Sequence, residues 1–104
     1  MALDTFLAAL TEETLNTVFV VKSTIIQMVV YNTINSEELE EQEIIVCHEL
    51  DRLSSDVEFS AYLVQRVQHL KNFVTQAFAL AFEEINENSL LQLCLHLEIL
   101  SDAI

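Results

Sequence analysis

Neither glycine nor proline occurs anywhere in this chain of 104 residues, and that absence removes more folds than any other property of the sequence. Average usage of the two would place about a dozen in a chain this long. Tight β-hairpins take glycine at positive φ, and loops that cradle phosphate need glycine where the backbone approaches the ligand. A Walker loop, a Rossmann turn and a nucleophile elbow are therefore excluded. Helices joined by short polar turns need neither residue. An apolar fraction of 52% is far above that of disordered chains, so the chain is expected to fold as one helical domain over residues 1–104.

Helix boundaries must then be read from Asn, Ser, Thr and Asp, whose side chains cap helices and tolerate turns. A short helical lead-in is expected over residues 3–10. Thr11, followed by Glu12 and Glu13, can cap a helix that stops near Asn32. Asn35 and Glu38 form a capping-box-like pair, with Ile34 placed to staple onto Leu39, and start a helix over residues 36–53. Ser55 and Glu58 repeat that signature and open a third helix near Asp56, which meets no breaker before Asn86 or Asn88, a span of about 45 Å. Asn88 or Ser89 caps a last helix over residues 90–101. Short loops make sequential helices antiparallel neighbours. The expected fold is an all-α antiparallel bundle of four main helices plus a short N-terminal helix.

Apolar spacing supports this plan. Leu39, Val46, Leu50, Leu53 and Val57 recur by sevens, fours and threes, and Phe59, Leu63, Val67, Leu70, Val74, Ala77, Ala81 and Ile85 trace one stripe. The first long helix is rich in β-branched residues that suit strands. Its polar positions Asn16, Thr17, Ser23, Thr24 and Gln27 fall on one narrow side, the pattern of a nearly buried helix. The last segment alternates like a strand from Leu91 to Ile99, yet Leu90, Leu93, Leu97 and Leu100 fit a helix, and leucine favours one.

Charge narrows the partners. Seventeen Asp and Glu stand against four Lys and Arg, a net charge of −13, which repels nucleic-acid phosphates and anionic lipid and favours a basic protein. No apolar run reaches the ~20 residues of a membrane span, and Asp4 stands where a signal peptide carries a cation. The two cysteines, Cys47 and Cys94, lie in apolar contexts suited to reduced thiols. A cytoplasmic or intracellular protein is expected.

The apolar content exceeds what one small bundle buries. Residues 77–82 cover every side of the third helix, and a 104-residue chain has little room to enclose a helix completely. A two-fold homodimer is the expected solution, with Phe73, Phe78, Leu80 and Phe82 at the dimer face or in a groove for an amphipathic helix. Acids crowd the second helix from Glu37 to Glu43, whereas residues 59–82 hold no acid but carry Arg66, His69 and Lys71; such opposite signs can set a pairing geometry. Glu83, Glu84 and Glu87 sit where a helix macrodipole disfavours anions. Together with Glu37, Glu38 and Glu41 they are the candidate contacts for a basic partner.

Catalytic constellations are sparse. Cys47 and His48 are adjacent, Cys94 and His96 are two apart, His69 stands alone, and no Cys-x-x-Cys or His-Glu-x-x-His occurs. Glu38 with Glu41, and Glu84 with Glu87, have the spacing of paired carboxylates in a metal-dependent nucleotide hydrolase, but no Lys or Arg lies beside them to hold phosphate. The stretch Cys47, His48, Glu49, Leu50, Asp51 resembles the Ser-x-Glu-Leu-Asp helix of the small sporulation-type aspartyl-phosphate phosphatases, with Cys in place of Ser. That resemblance implies phosphatase activity. The leading expectation is a non-enzymatic regulator or inhibitor of a partner protein, without metal or cofactor. Either hydrolase, or a structural subunit of a larger assembly, is the alternative.

Overall fold

A computed structural model describes residues 2–56 and 61–104. Four helices follow one another: α1 Ala2–Val30, α2 Ser36–Asp56, α3 Ala61–Glu83 and α4 Glu87–Ala103. Among the described residues there is no strand, and the alternating last segment is helical.

The ends of these helices show how a chain without glycine turns. At the end of α1, Asn32 takes the left-handed conformation with φ of 54°. The Thr33 N–H donates to the Met28 carbonyl at 2.9 Å and the Asn32 N–H to Val29 at 3.2 Å, the pair of bonds that closes a Schellman motif. Asparagine reaches this region at less cost than other side-chain-bearing residues. The expected stop at Asn32 is thus a left-handed cap. Asn35 starts α2 as expected: its Oδ1 accepts the Glu38 N–H at 3.0 Å, and Ile34 packs against the core that contains Leu39.

Three boundaries differ from expectation, and α3, 23 residues long and ending at Glu83, spans about 35 Å rather than about 45 Å. Residues 2–30 form one helix, so there is no separate N-terminal helix and Thr11 is internal rather than a cap. An interior threonine costs only a few tenths of a kcal/mol to about 0.7 kcal/mol relative to alanine, too little to interrupt a helix that has no glycine or proline. The hydroxyls of Thr17 and Thr24 donate to the carbonyls of Glu13 and Val20, which satisfies them within the helix. Secondly, α2 continues to Asp56 instead of ending near 53. Asp56 therefore ends a helix rather than opening one, and Val57, Glu58 and Phe59 lie outside the described residues. Thirdly, α4 is capped by Asn86, not by Asn88 or Ser89. Asn86 Oδ1 accepts the Ser89 N–H at 2.8 Å while Ser89 Oγ accepts the Asn86 N–H at 2.9 Å, a reciprocal box that satisfies two otherwise unpaired donors.

The helices form a square. α1 packs on α2 and α4, α3 packs on the same two, and no diagonal pair touches among the described residues. Lys71 Nζ donates to Asp51 at 2.8 Å between α3 and α2, and the Phe73 ring meets His96 at 5.8 Å between α3 and α4. The body measures 46 × 21 × 20 Å, matching a 29-residue α1 about 43 Å long.

One stripe per helix fills the centre: Val18, Val21, Ile25 and Met28; Leu39, Val46, Leu50 and Leu53; Val67, Val74, Ala77, Phe78 and Ala81; Leu90, Leu93, Leu97 and Leu100. Full burial of each large side chain contributes about 1.5–3 kcal/mol. Within one chain neither α3 nor α1 is enclosed. Ala79 and Leu80 of α3 face outward, and Phe19, Val20 and Val30 of α1 are all more than half exposed. A square of four helices leaves each with an outer face, so the expected near-burial of α1 does not occur within the chain. Among the described residues no helix is long and apolar enough to cross a membrane.

Candidate functional site

The up-down order of the helices carries the nominated acids to one end of the body. α2 begins where α3 ends and α4 begins, so Glu37, Glu38 and Glu41 come to the same end as Glu83, Glu84 and Glu87. Glu40 and Glu43 add to them. Glu43 is held above the ordinary carboxylate range, first by burial and then by the charge of Glu40. The cations lie elsewhere. Lys22 is eight residues, about 12 Å, short of the end of α1. Lys71 pairs with Asp51 and Arg52 with Glu49 and Glu13, while Arg66 donates to the Ala103 carbonyl at the opposite end.

At the acidic end a cleft of about 590 Å³ opens between the C-terminus of α3 and the N-terminus of α4. Its floor is apolar, from Ala77, Leu80, Ala81 and Leu93; its walls are Glu83, Glu84, Asn86, Gln92 and His96. Leu80 is 58% exposed. The capping box at Asn86 fixes the turn that forms one wall, because the two side chains there are bonded to backbone and not free to reorient. An aliphatic stem with a cationic head fits such a lining, its stem on Leu80 and the alanines and its head beside the two carboxylates.

The nominated residues separate into two groups. Leu80, Glu83 and Glu84 share this cleft and Glu87 follows in the next turn. Glu37, Glu38 and Glu41 reach the same end from α2, with Glu37 and Glu41 exposed. The apolar nominations fare differently. Phe78 is fully buried in the core of the single chain, where it cannot offer a dimer or groove surface. Phe73 and Phe82 are partly buried against the same core. The run 77–82 reads as apolar on every side, but its largest members turn inward and leave Leu80 outside.

Sequence reasoning missed Asn86, Gln92 and His96 in the cleft, and it missed the outer face shared by α1 and α4. There Phe19, Ile26, Leu91 and Leu95 are exposed. The signal was present: Leu91, Leu95 and Ile99 repeat by fours beside the core stripe Leu90, Leu93, Leu97 and Leu100, so α4 carries two apolar stripes.

The phosphatase-like stretch is occupied structurally. The Arg52 guanidinium donates to both oxygens of Glu49, and Thr14 donates to Oε1 at 3.2 Å. These bonds, with Arg52 as the largest cause, hold Glu49 below its ordinary range. Leu50 is core, Asp51 pairs with Lys71, and burial raises the Cys47 thiol above its usual range. Glu38 with Glu41 and Glu84 with Glu87 do reach one end of the bundle, yet among the described residues no group of three or more His, Cys, Asp or Glu is gathered as a metal site requires. Comparison with known protein families, curated proteins and solved structures finds no match to the chain.

Proposed function

We propose that this chain is a non-enzymatic helical interaction protein that regulates or inhibits a basic protein partner. The partner presents an amphipathic segment whose Lys or Arg side chains enter the α3–α4 cleft. The observation that carries this reading is the convergence of acids from two separate stretches of sequence on one cation-free end, around a cleft with an apolar floor. An electrostatic patch of this kind raises association rates and selects against acidic partners. The protein acts as a homodimer in a cytoplasmic or intracellular compartment, and dimerisation covers the apolar surface that the square bundle leaves outside.

The test uses a synthetic helical peptide with leucines at i and i+4 and arginines flanking them, followed by fluorescence anisotropy. Binding is expected to weaken as salt is raised. The triple substitution Glu83→Lys, Glu84→Lys, Glu87→Lys should abolish it while helicity by circular dichroism is kept. Unchanged binding by that variant would overturn the acidic-end reading.

A further inference from the structure

Among the described residues, Thr14 and Gln42 are the polar side chains that the bundle encloses. Thr14 donates to Glu49. Gln42, 8% exposed, makes no hydrogen bond to any described residue. No described side-chain nitrogen or oxygen is at once fully enclosed and unpaired, so what stays accessible of Gln42 is its amide, which opens into a groove between α1 and α2. Buried amides are ordinarily paired. An enclosed carboxamide aimed into a groove with its donors and acceptor unused points to a ligand that supplies both.

The groove, of about 370 Å³, has Val21 as its floor and Val20 and Ile45, 60% and 39% exposed, as its sides. The hydroxyls of Thr17 and Thr24 on its rim already donate to carbonyls of their own helix, so toward the groove they can only accept. No cation lines it. The Thr14 to Glu49 bond sets the register of the two antiparallel helices and places Gln42 level with Val21. Glu13 and Thr24 mark the ends of the groove, eleven residues of α1 and so about 16 Å apart, the length of about five extended residues. Glu13 meets Arg52 at 3.4 Å. The other end opens toward the acidic end of the bundle, where Glu37 and Glu41 are exposed.

We infer that this groove binds an extended peptide segment of a partner protein, apolar where it crosses Val20, Val21 and Ile45 and basic where it leaves toward Glu37 and Glu41. A residue in extended conformation turns its N–H and C=O to the same side, as in the bonded pairs of an antiparallel sheet. The Gln42 carboxamide presents one acceptor and one donor side by side and can take both. A helical segment cannot offer them, because its own ladder consumes them. The charge of the surroundings fixes the sign of the flank: acceptors and acids without a free cation favour Lys or Arg there. The α1–α2 seam lies across the square from the α3–α4 cleft, so this site stands or falls independently of the cleft.

The probe is a fluorescein-labelled peptide, Lys-Arg-Val-Thr-Val-Thr-Val, followed by anisotropy on the full chain and by the side-chain amide resonances in a nitrogen-15 correlation spectrum. Binding is expected with a shift of the Gln42 amide resonance, and the same peptide N-methylated at its three valines should not bind. Gln42→Leu should weaken binding about tenfold without lowering the melting temperature. Val20→Lys, at an exposed position, should weaken it about tenfold as well. Loss of binding in these two variants with retention in the triple substitution Glu83→Lys, Glu84→Lys, Glu87→Lys supports the groove whatever becomes of the cleft. Binding that survives Gln42→Leu and Val20→Lys but is lost in the triple variant overturns the groove and keeps the cleft. A Gln42 amide resonance that does not move at saturating peptide also overturns it and leaves a solvated carboxamide only.

Discussion

The two seams that flank α2 and the seam between α1 and α4 are built from different materials. On one side of α2, Arg52 and Glu49 meet Glu13 and Thr14 of α1; on the other, Asp51 meets Lys71 of α3 and Cys47 meets Thr75 side chain to side chain. Between α1 and α4 the Cys94 thiol reaches the Lys22 carbonyl at 4.0 Å. Hydrogen-bonded pairs have fixed partners and specify which helix lies beside which, whereas apolar side chains accept any covering surface of suitable shape. The α2 seams therefore have their partners specified within the chain, although Val20 and Ile45 border an open groove between α1 and α2. The α1–α4 seam continues outward into a face that a second molecule can finish.

The sharpest way to break this comparison is to remove one aromatic ring from the inside and one from the outer face. Phe78→Ala should lose about 3–5 kcal/mol of unfolding free energy in urea, since the ring is fully buried. Phe19→Ala should change the unfolding of the monomer by less than about 0.5 kcal/mol and be felt only in self-association. Equal losses would mean that Phe19 belongs to the core.

Next in size is the α1–α2 seam. Glu49→Gln removes the charged acceptor for Arg52 and Thr14 and should cost about 1–2 kcal/mol at neutral pH. Because the folded protein holds this carboxyl below its ordinary value of 4.5, its contribution is present above that value and is lost as the pH falls through the depressed one. Glu43 has the opposite sign. Its value is raised, so it favours the folded state at low pH and loses that contribution as the pH rises through the raised value. Glu43→Gln should therefore increase stability near neutrality and flatten the curve above the ordinary value of 4.5, as Glu49→Gln flattens it below that value. Thermal melts across pH on both variants separate the two effects.

Smaller still is the cap of α4. Asn86→Ala should cost about 1 kcal/mol and loosen the wall of the cleft, so peptide binding should weaken together with the melting temperature. At the end of α1, Asn32→Ala should destabilise by about 1 kcal/mol, whereas Asn32→Gly should be near neutral, because only the first places an unassisted Cβ at positive φ. The smallest change is expected for Asp51→Asn, because Asp51 itself is solvent-exposed; its effect should vanish as salt is raised.

The all-helical class, the four main helices and their core stripes were legible in the sequence because apolar spacing and short polar capping residues act locally, whereas the separate N-terminal helix was not there to be read. Leu39, Val46, Leu50 and Leu53 read as one stripe and pack as one. The Asn35 cap and the stop at Asn32 were legible for the same reason; the acids of residues 37–43 were not matched with the third helix's cations, since Lys71 meets Asp51 and Arg66 the Ala103 carbonyl. Thr11 misled, since a capping residue in an unbroken run is weaker than the helix around it. Asn86 was visible but assigned to the end of the third helix, because a cap and a stop use the same residue type and only backbone direction separates them.

What the sequence by itself determined is a helical chain with more apolar surface than one core needs and acids grouped in separate stretches. Only the tertiary structure decided where the surplus goes and which acids meet. A helix of repeated apolar residues such as 77–82 has no intrinsic inside; the direction of its neighbours made Phe78 core and Leu80 surface. The up-down order of the square brought Glu37 and Glu84, far apart in the chain, to one end. Those are global properties, set by which faces pack together, and no local pattern of residues encodes them.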